Sequence, residues 1–247
     1  MSTSTDEPTP QAATKDSFAK SVLPLYHGPQ VTIRIGSGGP TYSLSKDLLC
    51  KNSTYFSKMF EGQFKEGKRM SAVLGDDIIS EESFELFIEW LYTGQFKLLQ
   101  QTRSDQISCL IEVARFADMS DITDLTYAMA MSIKQVLMED PDWKQSRDSW
   151  SASPKSALML KHVKTEHLKS VDKLPTGNPV RRVFVLASVE PYLVADDFKF
   201  LKDIALCPRF TYDLLVETRR ILQEAGIRHK CPLSQDPLAH AKLSPSH

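Results

Sequence analysis

Strand-forming sequence is confined to three short runs, and that scarcity limits what the chain can fold into. Val31–Ile35 reads VTIRI, apolar and polar in alternation, which is the pattern of a strand with one buried face. GSGG follows, supplying residues that tolerate positive φ, and Pro40–Ser45 (PTYSLS) resumes extended character. The two runs therefore make a hairpin. Met70–Leu74 (MSAVL) is short and apolar enough for one more strand. Nearly all other apolar residues recur at helical spacing, so a small sheet must be covered by helices and the expected class is α+β.

From Lys46 the pattern turns helical. Leu48 and Leu49, then Tyr55, Phe56, Met59 and Phe60 after the capping types Asn52 and Ser53, fit two short helices. The segment EGQFKEGKR is polar and punctuated by glycine. Ser80 caps the clearest helix, with Ile79 and Phe84 at the two positions of a hydrophobic staple. Phe84, Phe87, Ile88 and Leu91 form its apolar stripe, Gly94 ends it, and Glu81, Glu85 and Glu89 make a solvated face. Ser104 opens a helix with Ile107, Leu110, Ile111, Ala114 and Ala117 inward. Asp121 opens another with Ile122, Leu125, Met129 and Val136 inward, and Met129 and Met131 are read as gap-filling core.

Composition shifts divide the chain. Residues 1–16, rich in Ser, Thr and Pro, are expected to be a disordered tail, and residues 17–138 a first domain. Residues 139–155 are polar and turn-rich, the composition of a linker or surface loop. Residues 156–226 read as helical, and 227–247 as a tail. In the helical region Ala157–Leu168 is one expected helix, and Asn178 followed by Pro179 starts a second with Val180, Val183, Phe184 and Ala187 inward. A last helix runs from Thr211 to Ala225 with Leu214, Leu215, Ile221 and Leu222 inward and Gly226 at its end.

Several function classes fall away. Lys and Arg total 30 against 31 Asp and Glu, so no global field draws the chain to a polyanion or an anionic membrane. The basic stretch from Lys155 to Arg182 holds seven Lys and Arg against Glu166 and Asp172. It lacks the aromatics or groove-entering motif of nucleic-acid recognition and reads as a solvated helix face. Cys50, Cys109, Cys207 and Cys231 are far apart with no paired spacing, which points to reduced thiols rather than zinc ligands. His162 and His167 are five apart and diverge on a helix instead of sharing the face a metal needs. No nucleophile or kinase motif is present, GSGG is not followed by Gly-Lys-Ser/Thr, and no catalytic, cofactor-binding or metal residues are expected. There is no basic start with an apolar run, and no window of about 18 apolar residues, so the expected location is intracellular, in nucleus or cytoplasm.

In order, VTIRIG, YSLSKDLLCKNSTYFSKMFEG, FELFIEWLYTG and VARFADM resemble the successive signature segments of the BTB/POZ domain family. The second half, especially PTGNPVRRVFVLASV, is similar to the helical tails of fungal BTB proteins that carry neither zinc finger nor kelch repeats. The resemblance implies a small mixed sheet with a cluster of α-helices, followed by an all-α C-terminal region. Two positions depart from the family pattern: Gln30 stands where relatives have aspartate, and Ser45 where they have histidine. In some relatives those residues line a co-repressor groove.

The resemblance further implies a protein-interaction role without catalysis: a homodimer holding a target protein. The self-association surface would involve Phe18, Val22, Leu23 and Leu25, unless that segment packs on its own domain. Relatives that recruit a cullin ubiquitin-ligase scaffold carry an apolar residue, any residue, then glutamate after the second short helix. Phe64, Lys65 and Glu66 hold that place. The implied function is an adaptor linking a target to a cullin-type ubiquitin ligase. The alternatives are a dimeric scaffold or transcriptional co-regulator without a ligase link, and nucleic-acid binding through residues 155–182.

Overall fold

The computed structural model describes residues 23–142, 156–195 and 197–226. Their sheet is small and mixed. Strand β1 (Gln30–Ile35) is central, with β2 (Thr41–Ser45) antiparallel on one side and β3 (Ser71–Leu74) parallel on the other. The alternation in VTIRI decides the buried face: Val31, Ile33 and Ile35 point inward while Gln30 and Arg34 face solvent. Register carries that face across the sheet, setting Val31 opposite Leu44 and Ile35 opposite Leu74, all buried. The hairpin turn requires glycine. Gly36 has φ +67°, and a Cβ on Gly39 would sit 2.0 Å from the Ile35 carbonyl oxygen.

Two compact units form. Among the described residues, the first comprises 23–97 together with Met119–Ile122; the second comprises Leu98–Asp118 and the described residues from Thr123 on. In the first unit the sheet is joined by α1 (Leu23–Tyr26), α2 (Lys46–Asn52), α3 (Thr54–Glu61), α4 (Lys65–Arg69) and α5 (Glu81–Thr93). The start of α5 follows the sequence signals: the Ser80 hydroxyl accepts from Ser83 N at 3.4 Å, and Ile79 and Phe84 are fully buried. Its end does too, since Gly94 adopts φ +71° and donates to the Trp90 carbonyl at 2.8 Å.

The second unit is helical: α6 (Arg103–Met119, as far as Asp118), α7 (Thr123–Met138), α8 (Ser156–Met159), α9 (Thr165–Asp172), α10 (Pro179–Val194) and α11 (Pro208–Glu224). Asn178 caps α10 by accepting from Val180 N at 2.9 Å, with Pro179 in the first helical position. α10 packs on both α7 and α11, and Leu137 and Met138 meet Val183, Leu186 and Ala187 around an apolar groove. The C-terminal region is therefore helical and shares a core with α7.

Several local expectations are corrected. α6 is capped by Thr102, whose hydroxyl accepts from Asp105 N at 3.1 Å, and Ser104 is a buried helical residue. Asp121 does not open α7; it holds φ +57° and accepts from the Thr54 hydroxyl at 2.6 Å. Ala157–Leu168 is not one helix, because Leu160–Lys164 turns between α8 and α9. α11 starts at Pro208 rather than Thr211, and its inward residues are Phe210, Leu214 and Thr218, leaving Leu215 exposed. Met131, read as core, is also exposed.

Candidate protein-interaction surfaces

The segment holding Phe64, Lys65 and Glu66 is built from two helices folded back on one another. α3 begins at Ser53, whose hydroxyl accepts from Phe56 N at 3.2 Å and donates to the Ser120 carbonyl at 2.5 Å. Phe56 and Phe60 anchor its inner face, their rings stacked 6.1 Å apart. α3 stops where Gly62 turns the chain. A Cβ there would lie 2.3 Å from the Lys58 carbonyl oxygen, so the turn requires glycine, and the Phe64 ring packs beside it. Gly67 allows α4 to approach the end of α3, since a Cβ on it would meet the Phe60 carbonyl oxygen at 2.9 Å. Met70 then closes α4 in the left-handed region at φ +50°, and its carbonyl accepts from Thr32 N at 2.9 Å, tying the segment to β1.

On this support Phe64 is 59% exposed, Lys65 is exposed and Glu66 is half-buried. An exposed phenylalanine held by fixed backbone is a ready anchor for a partner's pocket. Glu66 lies near Tyr55, whose hydroxyl is shifted above its ordinary value by burial and, secondarily, by that carboxylate. Cys50 nearby is pushed up to about 11, first by burial and then by Glu61, so the thiol is an inert neighbour rather than a nucleophile.

Of the four residues implied for self-association, Phe18 and Val22 lie outside the described residues. Leu23 is 43% exposed, while Leu25 is half-buried and its carbonyl accepts from the Ser45 hydroxyl. Tyr26 fixes α1 to its own unit: its hydroxyl donates to the Tyr92 carbonyl at 2.5 Å, and the two rings meet edge-on at 5.7 Å. α1 is thus held on one side and open at Leu23. Ser45 itself is buried and caps α2 by accepting from Leu48 N at 3.3 Å, a role the sequence reading missed because it took Ser45 only as a strand end. Gln30 is exposed and donates to the Gly28 carbonyl at 3.3 Å.

The remaining candidate groups serve the second unit's own fold. His162 Nε2 is 2.7 Å from Asp140 Oδ2. His167 Nδ1 accepts from Lys164 N at 3.0 Å, which leaves Nε2 to donate to the Ser108 hydroxyl at 2.8 Å. Arg181, counted in the basic stretch, is buried: Nη1 donates to the Leu174 carbonyl at 2.8 Å, and Nε lies 2.7 Å from Asp213 Oδ2. It cannot reach a phosphate. Among the described residues no group of three or more His, Cys, Asp or Glu is arranged to hold a metal ion, and no helix is long and apolar enough to cross a membrane.

Comparison with known proteins bears on the same region. The chain is 31% identical over 93 residues to the mouse (Mus musculus) Kelch repeat and BTB domain-containing protein 4, a match covering 38% of this chain and 16% of that protein. This chain therefore matches only a small part of that relative's length. The sequence profile of the BTB/POZ domain matches residues 27–134, the stretch that holds the sheet, the Phe64 segment and helices α2 to α6 with most of α7. BTB domains are protein-interaction domains rather than enzymes, in keeping with a candidate site made of an exposed ring and a carboxylate on rigid backbone, and residues 27–134 of this chain are a BTB/POZ domain.

Proposed function

We propose that the chain is an adaptor that self-associates through its BTB domain, holds a cullin-type ubiquitin-ligase scaffold at Phe64, Lys65 and Glu66, and carries a target on its C-terminal helices. The observation that carries this reading is the solvent-facing Phe64 ring on a glycine-shaped turn, with Glu66 beside it to fix register by charge-assisted bonds. Leu23, exposed on an otherwise tethered α1, supports self-association at the start of the domain. Ser45 and Gln30 weigh against a co-repressor groove of the histidine and aspartate type, since Ser45 is committed to capping α2. The buried Arg181 weighs against nucleic-acid binding by residues 155–182. Titrating the full chain with a purified cullin N-terminal domain, beside Phe64→Ala and Glu66→Lys, tests the reading. Capture by the parent that falls for both variants supports it. Absence of capture by the parent leaves a dimeric scaffold without a ligase link.

A further inference from the structure

Helix α11 carries two apolar stripes, and its own fold uses one. Phe210, Leu214 and Thr218 face inward against the second unit. On the far side Tyr212, Leu215 and Val216 are 66%, 51% and 50% exposed. One stripe is enough to seat a surface helix, so an outer stripe at i, i+3 and i+4 is surplus to folding and matches the spacing by which helices read one another.

The charges on α11 are sorted as well. Each of its carboxylates has a cation within the chain: Asp213 lies against Arg181, while Glu217 and Glu224 are both held by Arg220. Arg209 and Arg219 flank the outer stripe, three positions before Tyr212 and three after Val216. They are exposed and have no ion pair or hydrogen bond among the described residues. The outer face thus offers apolar contact framed by two uncommitted guanidinium groups, with no free anion on the stripe.

From this we infer that the outer face of α11 is a docking surface for an acidic amphipathic helical segment of a partner protein. Its apolar residues would rest on Tyr212, Leu215 and Val216, and its carboxylates would meet Arg209 and Arg219 bidentately. An anionic bilayer fits less well. Three apolar side chains are a small footprint for an interfacial helix, and a flat membrane would also spread over the flank bearing Asp213, Glu217 and Glu224. The inference rests on the adaptor reading only in naming this partner as the target.

The test uses the full chain and a fluorescent synthetic helix with leucines at i, i+3, i+4 and i+7 and glutamates on both flanks. Its counterpart replaces every glutamate with lysine. The acidic peptide should bind about tenfold more tightly than the lysine peptide, and the double variant Arg209→Glu, Arg219→Glu should reverse that order with an unchanged melting curve. Tyr212→Ala should weaken the acidic peptide at least about fivefold. Equal binding of the two peptides, or acidic-peptide binding that ignores both sets of substitutions, overturns the proposal. So does sedimentation with phosphatidylserine-containing vesicles that depends on Arg209 and Arg219 when neither peptide binds. Phe64→Ala should bind the acidic peptide like the parent, so if cullin capture fails while peptide binding persists, the ligase reading falls and the α11 surface stands.

Discussion

Phe64→Ala removes a ring that is mostly in solvent, 59% exposed, so stability should fall by no more than about half a kcal/mol in thermal unfolding. Cullin affinity should drop near thirtyfold, about 2 kcal/mol or more, and Glu66→Lys should weaken it too with an overlaid melting curve. A large loss of stability in Phe64→Ala would instead place the ring in a core. Ser53→Ala acts through the fold. It deletes the cap of α3 and the hydrogen bond from Ser53 to the Ser120 carbonyl, for a cost of about 1–2 kcal/mol in urea denaturation. At this scale legibility depended on whether a residue had one job. Ser53 and Ser80 were readable as caps because helical pattern follows each directly. Ser45 ends a strand and caps a helix at once, and the strand pattern hid the cap. The position of Phe64 was legible by order along the family's segments, whereas the backbone path that carries it requires Gly62 and Gly67, which read only as loop punctuation.

Elements were read well where periodicity is strong and poorly where a distant side chain intervenes. The break between α8 and α9 has no glycine or proline to announce it. Lys199 supplies the reason: its ammonium donates to the carbonyls of Leu160, Lys161 and Val163 at 2.8 to 3.1 Å, satisfying groups a continuous helix would have bonded internally. α9 carries a pH dependence of its own. Burial, with Lys164 adding, pushes His167 down to about 4 from its ordinary value near 6.5. The folded state binds fewer protons than the unfolded chain between those values, so the stabilisation is complete above about pH 6.5 and is lost as pH falls toward 4. Protonation would place a hydrogen on Nδ1, facing the Lys164 N–H. The full chain should therefore lose melting temperature steadily from about pH 7 to about pH 4.5, with a limit on the order of 3 kcal/mol, and His167→Gln should flatten that slope. A parent and variant with identical slopes would remove His167 from the account.

Over the whole molecule, the BTB/POZ domain was legible in the order of hairpin, short helices, strand and strong helix, sharpened by segments such as VTIRIG and FELFIEWLYTG that resemble the family's, because each of these is local. How α6 and α7 divide between units was not, because the residues that decide it are far apart in sequence. α6 and all but the last turn of α7 fall within the BTB/POZ match yet cluster with the C-terminal helices, and that last turn, just past the match, brings Leu137 and Met138 against Val183, Leu186 and Ala187. Residues 17–138 expressed alone should still unfold in one cooperative step, but at a lower temperature than the full chain, since that apolar contact opens to water. Sedimentation should find them dimeric, and equal melting temperatures for the two lengths would mean that α7 gains nothing from α10. The Arg181 guanidinium, buried in α10, has a further consequence for the order of events during synthesis. It cannot shed its proton, so sinking it before Asp213 exists would strand an uncompensated charge. A nascent chain that has released α10 from the ribosome must leave it undocked until the first turns of α11 emerge, so the last two long helices enter the fold together rather than in sequence.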